Sequence, residues 1–269
     1  MPTGRARKKR PSLDARLLTM AEQPSSDNAD ARITALEAEL ATLRTEMQNF
    51  TYAVSHDLRA PLRHIASYAQ LVQEDAGPQL SAEVQEFLTT ITDSARHMGV
   101  MLDGLLALSR VGTVSVEMAP VSLQELVSAV YRELAAQHPR RSIDWRIAGE
   151  LPLVSADAPL LRQALMQLLA NAIKFTAPRD PAVIEVSHMV EPDSGRVTLQ
   201  IKDNGVGFNP ALQTQLFRVF GRLHSANQFA GIGVGLVMAR KILERLGGSV
   251  SIEGAVDAGC CVRLSLRAC

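Results

Sequence analysis

Residues 50–65 read FTYAVSHDLRAPLRHI, and the register of this stretch decides how the first half of the chain folds. Upstream, Ile33, Leu36, Leu40, Leu43, Met47, Phe50 and Val54 follow one another at alternating spacings of three and four, a heptad seam. With Ile33, Leu40, Met47 and Val54 at the a positions, His56 falls at c, on the outer face. Val54, Leu58 and Leu62 are then spaced by fours, a local departure from the heptad. Pro61 has no N–H for the carbonyl of Asp57, and its ring crowds that carbonyl, so a bend is expected just after His56.

A second seam runs through Val84, Leu88, Ile91, Ala95, Met98, Leu102, Leu105 and Ser109. Between the two, EDAGPQLS (74–81) supplies Gly77-Pro78, a turn that ends the first helix. Two long seamed helices with a short connection predict an antiparallel hairpin. Each exposes more apolar seam than one hairpin can bury, so two hairpins are expected to associate as a dimeric four-helix bundle.

The flanking composition sets the domain boundaries. Residues 1–30 are rich in charge, Ser, Pro and Asn without apolar periodicity, and contain RARKKR at 5–10; a disordered basic tail is expected there. Residues 31–112 form the coiled coil and hairpin, 113–120 a linker, and 121–269 a second domain. With 28 basic and 28 acidic residues the net charge is zero, so no overall field favours nucleic acid. No apolar run approaches the roughly 18–20 residues of a membrane span. Cys260, Cys261 and Cys269 lie in no metal-ligand spacing and read as free thiols in a reducing cytoplasm.

Beyond residue 120 the texture changes. VSLQELVSAVYRELAAQ is an amphipathic helix opened by a capping box of Ser122 and Glu125. SIDWRIA reads as a strand, 158–174 as a helix, and AVIEVSHMV with RVTLQIKD as an antiparallel hairpin. NPALQTQLFRVF and GVGLVMARKILERLGG read as helices, SVSIEG and CCVRLSLRA as strands. Helices segregated onto one face of a mixed, largely antiparallel sheet make a two-layer α/β sandwich.

Three segments of this domain carry candidate chemistry. In VTLQIKDNGVGF, Val197, Leu199, Ile201 and Asp203 share one side of a strand, so Asp203 projects on the apolar side and needs a partner. It is a turn residue before Asn204-Gly205, or a carboxylate accepting a hydrogen bond from a buried ligand amine, with Gly205 and Gly207 letting the backbone approach that ligand. In AGIGVGLVMARKI, Gly231, Gly233 and Gly235 precede a helix whose N-terminus favours phosphate, though the spacing fits neither a dinucleotide fingerprint nor a P-loop. In LRQALMQLLANAIKFT, Asn171 and Lys174 stand three apart on one helical face, an amide oxygen suited to Mg²⁺ beside an ammonium suited to phosphate. Together they describe a nucleoside-triphosphate pocket.

With these segments in this order, the chain from about residue 31 to 269 resembles the catalytic core of two-component sensor histidine kinases, and its wording is most similar to the phytochrome-type group. Residues 50–65 resemble the phosphoacceptor box, Asn171–Lys174 the N box, DNGVGF the first glycine box, LFRVFGRLH the phenylalanine box with Phe217 and Phe220, and GIGVGL the second glycine box. The resemblance implies an ATP-binding domain of the gyrase, chaperone, histidine-kinase and MutL superfamily. It implies that Asp203 reads the adenine amine, that Asn171 holds Mg²⁺ with Gln167 as a further contact, and that the γ-phosphoryl group passes to His56 with Asp57 as base or orienting acceptor. A homodimer would then donate to an aspartate of a response-regulator receiver domain in the cytoplasm, with input arriving through the coiled coil or from a separate sensory protein.

The departures from the family pattern matter as much. Gln167 stands where the N box often has asparagine, Ile232 replaces a hydroxyl residue of the second glycine box, and Asp257 replaces a glycine of the third. Ala60 lacks the amide or hydroxyl of phosphatase-competent relatives. The pattern therefore implies slow autokinase and little phosphatase activity. The alternatives are a degenerate kinase serving as dimeric scaffold or phosphorelay module, and an ATPase of the same superfamily without a phosphoacceptor.

Overall fold

A computed structural model describes residues 26–269 apart from Pro192 and Ala226. The tail expected over 1–30 thus lies outside the described residues as far as 25, and the chain is already helical at Ser26. Two compact units divide at Met47/Gln48. The described part of the first is helical and keeps Ile33, Leu36, Leu40, Leu43 and Met47 at least half exposed.

Helix α1 (Ser26–Ala76) remains helical through Pro61. A 3₁₀ turn at Gly77–Gln79 ends it, and helix α2 (Ala82–Val111) begins under an N-cap from Ser81, whose hydroxyl accepts from the Val84 N–H at 3.4 Å. Gln85 ties the connection back, donating to the Gly77 carbonyl at 2.6 Å. Arg59 donates to Asp103 at 2.9 Å and Gln73 lies 3.5 Å from Thr89. Fourteen residues forward along α1 therefore correspond to fourteen back along α2, the register of an antiparallel hairpin.

The second domain starts earlier than expected. The linker placed at 113–120 runs into a strand, β1 (Ala119–Ser122), which pairs antiparallel with β3 (Leu153–Ala156). Both are four residues long, too short to show an alternation in sequence, and neither was expected. Leu108 and Val111, at the end of α2, are buried in the core of this domain, and the Val111 carbonyl accepts from Arg245. The junction is thus packed into the fold.

Helix α3 (Leu123–Ala136) keeps one half of the expected capping box, with the Ser122 hydroxyl accepting from the Glu125 N–H at 3.2 Å. β2 (Ile143–Ile147) pairs parallel with β4 (Ala182–Glu191); β4 pairs antiparallel with β5 (Arg196–Asp203), β5 with β7 (Cys260–Ala268), and β7 with β6 (Ser249–Gly254) and β3. The order is β1-β3-β7-β5-β4-β2, with β6 beside β7. Helices α3, α4 (Ala158–Phe175) and α5 (Gly235–Arg245) bury their apolar stripes with the inward strand residues. Leu161, Leu165, Leu169, Ile184, Leu199, Ile242 and Leu264 are fully buried, each stabilising the fold by about 1.5–3 kcal/mol relative to exposure. This is the expected two-layer sandwich.

One expected helix is not there. Within NPALQTQLFRVF only Pro210–Gln215 is helical, and as a 3₁₀ turn. The Asn209 side chain accepts from the Ala211 N–H at 3.0 Å, Gln213 reaches out to the Ile252 carbonyl at 2.6 Å, and no residue of the turn is buried. Without a buried stripe a helix of this length has little to hold it.

Candidate active site

Helix α4 is fixed at both ends. Asp157 caps its start, accepting from the Leu160 N–H at 3.0 Å and from the Glu117 N–H at 3.0 Å. At its end the Arg141 guanidinium donates to the carbonyls of Ile173 and Thr176, at 2.5 and 2.8 Å, satisfying acceptors the helix leaves free. With the apolar face buried, Gln167, Asn171 and Lys174, spaced four and three apart, line a cavity of about 280 Å³.

Asp203 lines the same cavity from the end of β5, on the apolar side of its strand as its parity requires. It is buried, and its Oδ1 accepts from the Gly205 N–H at 2.8 Å. Burial pushes its carboxyl up to about 6, against the lowering effect of backbone N–H groups from Gly205 and Cys260. Phe208, Ile252 and Val262 add apolar wall.

The glycines divide by role. Gly207 has φ +60, and a Cβ there would stand 1.8 Å from the Ala255 carbonyl oxygen, so only glycine fits this turn. Gly233 has φ +74, and its Cβ would meet the Gly221 carbonyl at 2.5 Å, because the Phe220 N–H donates to the Gly233 carbonyl at 3.1 Å. Gly207, Gly231, Gly233 and Gly235 line the cavity, the last at the start of α5. Gly205, Phe217 and Phe220 do not line it. Phe217 lies under Arg240, whose guanidinium carbon is 4.9 Å from the ring centre, and both phenylalanines pack on the core.

Sequence reasoning passed over Arg222, His224 and Phe229, which line the cavity too. Arg222 donates to the Phe229 carbonyl, and the His224 ring forms a triangle with those of Phe175 and Phe229, with centroid separations of 5.4 and 5.3 Å from His224 and 5.0 Å between the phenylalanines, its Nε2 2.9 Å from the Gly207 carbonyl. Burial, and then the charge of Arg222, lower the Lys174 pKa, and both cations line the cavity. In sequence these residues lie some fifty apart, with no periodicity to join them.

His56 and Asp57 belong to a different surface and are not among the lining residues. Ser55 is fully buried and turns His56 outward, its side chain 70% exposed. The His56 Nδ1 stands 3.2 Å from Asp57 Oδ1. A carboxylate only accepts, so Nδ1 carries the proton and Nε2 keeps its lone pair facing solvent.

Ile232, the departure in the second glycine box, has a place of its own. It lines the cavity, and its Cδ1 lies 2.5 Å from where a Cβ on Gly104 of α2 would be. The glycine leaves a notch that the isoleucine tip fills. Asp257, the other departure, takes φ +60 and pairs with Arg179 at 3.0 Å.

Comparison with known proteins agrees with this arrangement. Residues 46–113 match the family described as "His Kinase A (phospho-acceptor) domain", and 156–268 the one described as "Histidine kinase-, DNA gyrase B-, and HSP90-like ATPase". Over 225 residues the chain is 33% identical to "Cyanobacterial phytochrome B" of Nostoc sp., covering 83% of this chain and 30% of that protein. Over 228 residues it is 32% identical to "Methanogenesis regulatory histidine kinase FilI" of Methanothrix harundinacea, covering 85% and 25%. The chain thus spans less than a third of the length of these relatives. Among solved structures, full-length ShkA in complex with AMPPNP is similar at 25% identity and a TM-score of 0.56, over 81% of this chain and 45% of that one. Among the described residues no helix is long and apolar enough to cross a membrane. A phosphoacceptor module followed by an ATPase module, with phytochrome-type relatives across both, makes this chain a member of the sensor histidine kinases, whose catalytic core it carries.

Proposed function

We propose that this chain binds Mg-ATP in the cavity and transfers the γ-phosphoryl group to Nε2 of His56, then to an aspartate of a response-regulator receiver domain. The observation that carries this reading is the pairing of an outward imidazole, oriented by Asp57, with a cavity that holds a buried carboxylate and two cations.

The donor set fits the nucleotide. Asp203 accepts from the exocyclic amine of adenine, whose ring is buried among Leu168, Phe208, Ile252 and Val262. Lys174, Arg222 and the N-terminus of α5 meet the phosphates. Among the described residues no cluster of acidic or histidine ligands exists for a metal, so Mg²⁺ would rest on the Asn171 amide oxygen, with Gln167 beside it, and on the phosphates themselves, its usual arrangement in such sites. The metal would offset phosphate charge. Phe217, Phe220 and Gly205 act behind the lining, holding the two loops.

In the transfer, the Nε2 lone pair forms a bond to the γ-phosphorus as the bond to the β–γ bridging oxygen breaks and ADP leaves. Asp57 stabilises the positive charge that develops on the ring or takes the Nδ1 proton. Such transfer relies on positioning and charge rather than covalent catalysis. Leu58, Ile65, Leu71, Phe87, Ile91 and Met98 remain exposed along the hairpin, an apolar surface that a second copy would cover as a four-helix bundle. We place this homodimer in the cytoplasm, where ATP is available, taking its input through the coiled coil or from a separate sensory protein; nucleic acid has no role in it.

Incubation with γ-labelled ATP tests the reading. Acid-labile label on the wild type and none on His56→Gln supports it. Nucleotide binding without label would instead favour the degenerate kinase acting as scaffold or phosphorelay module, to which Ile232 lends weight because it removes a hydroxyl from the cavity wall. Hydrolysis indifferent to His56 would indicate a plain ATPase.

A further inference from the structure

The loop between Asp203 and Gly207 carries two cavity-lining residues, yet no regular element holds it. Its backbone is fastened from outside. The Val206 N–H donates to the Phe175 carbonyl at 3.1 Å, and the Asn204 N–H to the Val183 carbonyl at 3.1 Å. Two of its carbonyls, those of Asn204 and Gly205, converge on one side chain. Arg179, in the loop after α4, donates from Nε to the Asn204 carbonyl at 3.0 Å and from Nη2 to the Gly205 carbonyl at 3.3 Å. The same Nη2 reaches the Asp257 carbonyl at 3.3 Å and its carboxylate at 3.0 Å.

Asp257 is the residue that departs from the family's glycine in the third box. It takes the left-handed conformation, which aspartate tolerates better than most side chains, and its N–H donates to the Val206 carbonyl at 2.8 Å. The turn a glycine would form is therefore still made. What the substitution adds is an anion placed to receive Arg179. A surface ion pair alone contributes little. Here the guanidinium also satisfies three carbonyls of two loops, and its fork geometry lets one residue join both.

We propose that Arg179 and Asp257 are positioning residues for nucleotide binding: the pair clamps the loop bearing Asp203 and Gly207 to the turn at 255–259. The Gly205 N–H then stays on the Asp203 carboxylate, 2.8 Å away, and the carboxylate keeps its aim into the cavity. Neither residue touches the nucleotide. This inference rests on the ATP-binding reading above.

The test is fluorescent titration of the full chain with a trinitrophenyl-ATP probe, alongside the steady-state KM for ATP. Arg179→Ala is expected to raise the dissociation constant about tenfold, the scale of losing one charged hydrogen-bonding group. KM should rise in parallel while kcat changes less than about twofold, since the lost interaction serves binding and not the transition state. Arg179→Lys should recover part of the loss. Asp257→Asn keeps the turn conformation and removes the charge; it should weaken binding a few-fold in the wild type and not at all in the Arg179→Ala background. Unchanged affinity in both single variants, or additive losses in the double variant, would overturn the clamp. Failure of the wild type to bind the probe would overturn the ATP-binding reading and the clamp together, so the two failures are distinguishable.

Discussion

Gly104 of helix α2 and Ile232 of the second glycine box meet so closely that a methyl group on the glycine would stand 2.5 Å from the isoleucine Cδ1 and 3.3 Å from Val234 Cγ2. One side chain therefore belongs both to the wall of the candidate nucleotide cavity and to the surface of the phosphoacceptor hairpin. Gly104→Ala brings two opposing effects, a helix-propensity gain of about 1 kcal/mol and an overpacking loss of about 1–3 kcal/mol. In the Ile232→Ala background the 2.5 Å contact is gone, the 3.3 Å approach of Val234 remains, and most of the overpacking loss is relieved. A urea-unfolding cycle over the four proteins should show coupling of about 1 kcal/mol or more; additive values would mean that the notch is not filled in solution.

The Asp57 carboxylate fixes the His56 tautomer by accepting from Nδ1. Asp57→Asn leaves an amide whose nitrogen can compete for that ring atom and which carries no charge to balance the phosphorylated ring. Autophosphorylation should slow about a hundredfold, within the usual range for losing a general base. ATP affinity should be unchanged, because Asp57 is not part of the cavity. Rapid-quench assays at saturating ATP separate the two.

If Asp203 accepts from adenine's amine as proposed, it gives the site a pH dependence: with its carboxyl near 6, the accepting fraction falls as pH drops through that value. ATP affinity should therefore decline between pH 7 and 5 by about tenfold, following the protonated fraction, and titration calorimetry at several pH values checks it. The sign for stability is opposite to that of an ion-paired carboxylate. The empty fold holds the proton more tightly than the unfolded chain, so this residue's contribution to stability decreases as pH rises from 3.8 to about 6. Asp203→Asn should weaken adenine nucleotides at all pH values and remove both dependences.

Lys174 is half-buried beside Arg222 with its ammonium 4.4 Å from the Phe175 ring centre, and its pKa is lowered chiefly by burial. Burial and a cationic neighbour both disfavour its charge, so an incoming phosphate relieves it. Lys174→Met is expected to lower affinity for ATP about tenfold, while adenosine, with no phosphate, should bind as before. Equal losses for both ligands would show that the side chain supports the cavity's shape instead.

The elements most legible in sequence were those with long periods. The heptad seams specify two helices and turn His56 outward, because a helix repeats its faces over many residues and leaves little room for another reading. The parity of Val197, Leu199 and Ile201 likewise placed Asp203 on the buried side of its strand. Short elements were illegible. β1 and β3 have four residues each and exist because they complete a sheet edge, and of the helix expected over NPALQTQLFRVF only the 3₁₀ turn Pro210–Gln215 forms, none of whose residues is buried.

By itself, then, the amino-acid sequence determined the hairpin, the sandwich and the outward histidine, all consequences of local periodicity and side-chain chemistry. Only the tertiary structure decided what depends on residues far apart in the chain. Arg222 and His224 come to the cavity that Lys174 lines, Arg179 finds Asp257 78 positions away, and Ile232 finds the notch at Gly104. Those contacts arise when separate loops are brought together by the burial of apolar surface beneath them, and no local pattern encodes which carbonyl or which glycine will be waiting there.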